Sequence, residues 1–266
     1  MDVTQDFIEK TFKDANINPK YFSILTNQEA LKIYNTAFTA ATVDPEKNYE
    51  LYEFIGDVAA GHALVTYFYN TFPQLRSPKH INILNRLKIV HGSRESFSKI
   101  AEDLGFEKYI KYDKNNETPY TKKTREALLE DTFEAFLGAT QIILENEFGK
   151  VGVAVQIIYD FIKSIFDKKE ISFEPSDLYD AKTRLKELFD NHANTNQLFT
   201  NFGVPKYVDV PHGTESTLTF TKLPVSFQGK ENTKQKSQKS AAQKALDYFE
   251  KLGYNTKKKF NTIFSK

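Results

Sequence analysis

Apolar residues recur at three- and four-residue steps through the first 165 positions of this 266-residue chain, and strand-like alternation takes over only beyond Pro175. That change of period dictates two differently built parts. The helical steps are explicit in Leu31, Tyr34 and Phe38, in Leu51, Phe54, Ile55 and Val58, and in Leu128, Leu129, Phe133, Phe136 and Leu137. Breakers separate them at Asp44-Pro45, Phe72-Pro73, Ser77-Pro78, Gly105 and Thr118-Pro119. Residues 1–166 are therefore expected to form an all-α bundle.

Residues 178–255 follow another pattern. An amphipathic helix is expected around Lys182 to Phe189, then strands at Lys206 to Val210, Ser216 to Thr221 and Pro224 to Gln228, then a helix from about Gln235 to Leu252. The order α-β-β-β-α makes this a small α+β domain. Residues 167–177 lack helical period, contain Pro175 and read as a linker, and the Lys-rich tail 256–266 is expected to fray.

Charge divides at the same place. The net formal charge of +1 conceals 15 basic against 9 acidic residues in 176–266, leaving 21 basic and 26 acidic in 1–175. Opposite signs on the two parts suggest two tasks.

Absence of cysteine excludes disulfides, thiolate zinc sites and cysteine nucleophiles. The five histidines, His62, His80, His91, His192 and His212, include no pair at the close helical spacing of a metal site. Any bound metal would then rest on carboxylates, which suit hard ions such as magnesium or manganese. No apolar run is long enough to span a bilayer, and the N-terminal stretch fits neither a secretory signal nor a transit peptide, so an intracellular protein without a membrane partner is expected.

Two segments carry acids on otherwise apolar helices. Glu50, Glu53 and Asp57 stand at i, i+3 and i+7, within roughly 60° of one helical face. Asp131 and Glu134 share a face in a run apolar enough for a core helix. A single acidic stripe is most often a solvated surface. Two of them on core-like helices point instead to converging carboxylates, which repel and lose solvation unless protons or cations neutralise them. Gly56 and Gly138, each costing about 1 kcal/mol inside a helix, suggest close helix-to-helix contact beside the acids.

At these residues the sequence resembles the ribonuclease III family. Glu50, Glu53, Phe54, Ile55, Gly56 and Asp57 match its Glu-x-x-Glu-Phe-Leu-Gly-Asp signature, with Ile for Leu. Asp131, Glu134, Ala135, Gly138 and Ala139 match the second signature, Asp-x-x-Glu-Ala-x-x-Gly-Ala. The likeness covers about residues 28–165 and departs from the pattern at Val58, at His91-Gly92 and from Pro119 to Arg125. It implies an endonuclease bundle in which Glu53, Asp57, Asp131 and Glu134 bind divalent ions and act in catalysis, with Glu50 in support. Magnesium is the implied cofactor, with manganese as substitute. A homodimer is implied because the family cuts two strands with two sites.

The tail resembles a double-stranded RNA-binding domain. Asp180 to Phe189 looks like its first helix, and Thr233 to Leu246 like its basic, alanine-rich second helix. The resemblance implies RNA contacts by Lys182, Thr183 and Lys186 on the first helix and by Lys234, Gln235, Lys236 and Lys239 on the second. His212 falls in the loop that reaches a minor groove to touch 2′-hydroxyls. The expected function is metal-dependent cleavage of double-stranded RNA, leaving 5′-phosphate and 3′-hydroxyl ends, in RNA processing or silencing. The alternative is a non-catalytic protein that sequesters such RNA or builds a ribonucleoprotein. All four acids are present, which favours the enzyme.

Overall fold

In the computed structural model, which describes residues 1–191, 197–210 and 214–254, two units separate at Met1–Ile171 and Ser172–Lys266. The first contains α1 (Gln5–Asp14), α2 (Phe22–Leu25), α3 (Gln28–Ala37), α4 (Glu50–Thr71), α5 (Ile81–His91), α6 (Arg94–Asp103), α7 (Arg125–Phe148) and α8 (Val151–Phe166). The expected all-α bundle is what the chain forms. It is less continuous than the periodicity suggests, because residues 38–49 and 104–124 run as turns and single 3-10 turns.

Helix α7 is the centre of the bundle. Every residue from Asp131 to Thr140 is buried, and α4, α6, α8 and α3 pack around it. Thr124 starts it by accepting a hydrogen bond from the Ala127 amide at 3.1 Å, and Gly149 ends it in the left-handed conformation at φ 60°. Phe136 stacks on Tyr34 at 5.4 Å and meets Phe12, Phe106 and Phe161 at 5.2–5.6 Å, so one aromatic cluster ties α1, α3, α7 and α8 together. The Tyr34 hydroxyl, fully enclosed, satisfies itself on Thr140 Oγ1 at 2.9 Å.

Contact between α4 and α7 is closer than side chains allow. A Cβ on Gly56 would lie 1.7 Å from the Glu134 carbonyl oxygen, and one on Gly138 would lie 2.0 Å from that of Tyr52. The two helices cross backbone to backbone, as the glycines anticipated.

The second unit contains α9 (Pro175–Leu178), α10 (Ala181–Asn191), α11 (Gln197–Phe202), β1 (Pro205–Asp209), β2 (Glu215–Phe220), β3 (Leu223–Lys230) and α12 (Lys234–Lys251). Its three strands form an antiparallel sheet in the order β1-β2-β3, with Tyr207 opposite Leu218 and Leu218 opposite Phe227. Leu218, Phe220 and Phe227 cover one face of that sheet and pack with Leu185, Phe189, Ala241, Ala245 and Phe249 of α10 and α12.

Two departures from expectation stand here. The short α9 begins in the last residues of the stretch read as a linker, because Leu178 is buried and Pro175 suits a first helical turn. The short α11 intervenes between α10 and β1, because Leu198 is buried and Phe199 meets the Phe189 ring. The sheet and the two longer helices otherwise follow the expected order.

Candidate active site and basic face

The crossing at Gly56 and Gly138 sets the acid-bearing faces of α4 and α7 against each other. Glu50 and Glu53 lie in the first turn of α4, where the helix dipole favours negative charge. Asp57 follows one turn on and is exposed, as Glu50 is, whereas Glu53 is half-buried. From α7, Asp131 and Glu134 enter at 3% and 7% exposure, which makes them buried carboxylates.

Their electrostatics record the convergence. Burial, followed by repulsion from Asp57, Glu130, Glu53 and Asp131, pushes Glu134 up to about 8. Burial and repulsion from Asp131 likewise push Glu53 up to about 7, although Lys123 opposes the rise. Near neutral pH these two carboxyls hold protons a substantial part of the time, because burial disfavours the charged form and the neighbouring acids add to it.

Cations and hydroxyls from the chain restrain the other members. Tyr49 donates its hydroxyl to Asp131 Oδ2 at 3.0 Å, and Lys123 Nζ lies 3.0 Å from the same oxygen. Arg94 pairs with Glu130, an acid beside the cluster. Tyr49, Lys123, Arg94 and Glu130 were not legible in the sequence as members of this site. Tyr49 directly precedes Glu50, and Lys123 lies in the stretch that departs from the family pattern; those were the available signals.

Among the described residues, no three acid or imidazole side chains converge tightly enough to hold an ion as they stand. The chemistry of the donor set nevertheless fits a hard divalent cation. It is made of carboxylate oxygens, and two of its members retain protons that a cation could replace.

On the second unit, Lys182, Lys234 and Lys239 lie on adjoining parts of α10 and α12. Lys182 Nζ donates to Gln238 Oε1 at 2.5 Å and sits over the Tyr207 ring at 5.1 Å. Lys234 pairs with Asp209 at 2.8 Å, and Gln238 Nε2 donates to the same carboxylate. The Thr183 hydroxyl donates to Asp180 at 3.0 Å, so it is engaged in starting α10. Asp180 in turn feels the charge of Lys239. Lys186, Gln235 and Lys236 are exposed, and His212 lies outside the described residues.

The ribonuclease III domain family matches residues 50–142, the span from the first acidic signature through α7 as far as Ile142. A protein named "Putative ribonuclease 3" from Frog virus 3 (isolate Goorha) is 42% identical over 175 residues, covering 66% of this chain and 46% of its own length. Its namesake from Invertebrate iridescent virus 6 is 31% identical over 265 residues, covering 91% of this chain and 87% of its own. The chain belongs to the ribonuclease III family. Ribonuclease 3 of Lactobacillus acidophilus is 29% identical over 88% of this chain and the whole of its own length. The chain spans just under half the length of the frog-virus relative.

Proposed function

We propose that the protein is a divalent-ion-dependent endonuclease for double-stranded RNA, acting as a homodimer. The observation carrying this reading is the backbone contact at Gly56 and Gly138, which sets Glu53 and Asp57 against Asp131 and Glu134. Converging like charges of which two, Asp131 and Glu134, are buried need neutralising partners, and a site for divalent ions gives the arrangement a purpose.

Glu53, Asp57, Asp131 and Glu134 are the residues that would hold the ions, most naturally magnesium, with Glu50 at the rim. When bound, such ions supply an activated water and stabilise the charge on the leaving 3′ oxygen, which yields 5′-phosphate and 3′-hydroxyl ends. Tyr49 holds Asp131 in place, and the buried wall of α7 fixes the angle at which the acids face the substrate.

The homodimer is supported by a face of α4 that the described residues leave uncovered. Leu51, Phe54 and Val58 are 66%, 74% and 63% exposed, one residue along from the acidic stripe. Beside them Phe54, Val58, His62, Gln141, Val155 and Ile158 line a groove of about 460 Å³. A twofold partner offering the same residues would cover both and bring a second acidic site for the second strand.

The basic face of α10 and α12 is the proposed RNA grip, with Lys182, Lys186, Lys234, Lys236 and Lys239 meeting phosphates and Gln235 and Thr183 beside them. The order α-β-β-β-α and the +6 charge of residues 176–266 support this. His212 belongs to the same proposal through its place between β1 and β2.

The test is to incubate purified protein with a perfect RNA duplex and magnesium, then to size the products and analyse their ends. Staggered cuts with 5′-phosphates support the reading. Binding without cutting would replace it with a sequestering protein.

A further inference from the structure

Lys123 is placed with more care than a surface lysine requires. Its ammonium lies 3.0 Å from Asp131 Oδ2, and the side chains of the pair are only 32% and 4% exposed. Leaving Asp131 buried without a cation would be costly, so the contact substitutes for charge that the cluster otherwise lacks. Thr124, the next residue, caps α7, so Lys123 stands two residues before the first residue of that helix, near the end of the 117–124 segment.

The segment is fastened so as to deliver this side chain. Tyr112 accepts a hydrogen bond from the Lys123 amide at 3.1 Å and donates to Glu117 Oε1 at 2.9 Å. Thr118 and Thr121 close a turn on each other at 2.9 Å. None of residues 117–124 is buried, and Tyr120 at the tip is 94% exposed. The segment could therefore shift without opening the aromatic core. Its tie to the acidic cluster runs through the ammonium of Lys123.

A divalent ion at Asp131 and an ammonium 3.0 Å from its Oδ2 would place two cations on one carboxylate. The ion carries the larger charge and interacts with several acids at once, so it should win. We propose that Lys123 is a displaceable internal counter-ion of the acidic site, and that segment 117–124 is a latch which an incoming divalent ion releases. This rests on the reading of Glu53, Asp57, Asp131 and Glu134 as the ion-binding set.

The experiment uses the full chain in chelator-treated buffer: wild type, Lys123→Met and Lys123→Arg. Manganese binding is measured by calorimetry, melting is followed with and without manganese, and trypsin cleavage after Lys122 and Lys123 is followed by mass spectrometry. Lys123→Met should bind manganese roughly tenfold more tightly, because the competing charge is gone. It should melt below wild type without metal and together with it at saturation. Lys123→Arg should stay near wild type in affinity. Manganese should speed trypsin cleavage of the wild-type segment.

Equal or weaker manganese binding by Lys123→Met would overturn the proposal. So would a melting deficit that persists at saturation, since it would mark a purely structural tie. Should Lys123→Met fail to fold, unchanged trypsin cleavage of wild type on adding manganese would decide against the latch. Failure of wild type to bind manganese at all would remove the ion-site reading, and the latch with it.

Discussion

Asp209, at the end of β1, accepts from Lys234 at 2.8 Å and so holds one of the lysines expected to grip phosphate. The same carboxylate receives Gln238 and, through Ser216 Oγ at 2.8 Å, a strand neighbour. The Lys234, Gln238 and Ser216 donors hold its carboxyl down at about 2.

Lys234 therefore starts partly neutralised, unlike Lys236. Lys236→Ala should weaken duplex binding and flatten its salt dependence, by up to about one unit of slope, more than Lys234→Ala does. Asp209→Asn should steepen the slope. Filter binding across a salt series checks this ordering, and an unchanged slope in all three variants would remove the basic face from the RNA contact.

Glu134→Gln should reduce cleavage by about 10²-fold or more while leaving duplex affinity nearly unchanged. Parallel loss of binding and cutting would point to a folding role. Single-turnover cleavage and binding assays on the same preparation separate the two.

Gly138→Ala places a Cβ where the Tyr52 carbonyl oxygen lies 2.0 Å away. The α4–α7 crossing must open, at a cost of about 1–3 kcal/mol, and the acids must separate with it. Melting should fall by several degrees and cleavage should fall further than stability alone explains. A variant that melts and cuts like wild type would show the crossing to be slack.

Phe54→Glu puts a charge on the most exposed of the α4 apolar residues. Sedimentation should change from a dimer of the 30.6 kDa chain to a monomer, and staggered double cuts should disappear. A wild-type monomer that still cuts both strands in one event would sink the dimer.

His91 packs against Phe68 and Phe166, and burial with the nearby charge of Lys169 lowers its pKa to about 4. The unfolded chain takes up a proton near pH 6.5 and the folded chain does not, so stability is complete above about 6.5 and declines as pH falls toward 4. With partial exposure discounted, the loss is about 1–2 kcal/mol. His91→Gln should remove that part of the slope in denaturation curves taken between pH 7 and 4.5.

The acids, the two glycines and the succession of helices and strands were legible because each is a local property. Period follows from which faces are apolar, and the glycines beside the acids, Gly56 and Gly138, suggested close approach before any partner was known. The breaks at Asp44-Pro45, Gly105 and Thr118-Pro119 were legible, but not the extent of the loops around them, residues 38–49 and 104–124, nor α11, whose Leu198 gains its reason only from the core of the second unit.

What the sequence determined by itself was the pair of acid-bearing helices, the change to a basic α+β unit and the residue types fit for a hard ion. Only the tertiary structure decided that Lys123 and Tyr49 converge on Asp131, that Lys234 is held by Asp209, and that Leu51, Phe54 and Val58 remain uncovered. Each of those joins residues from separate elements or leaves a face without a neighbour. The pattern along one helix carries no information about the charge or surface that another segment brings to it.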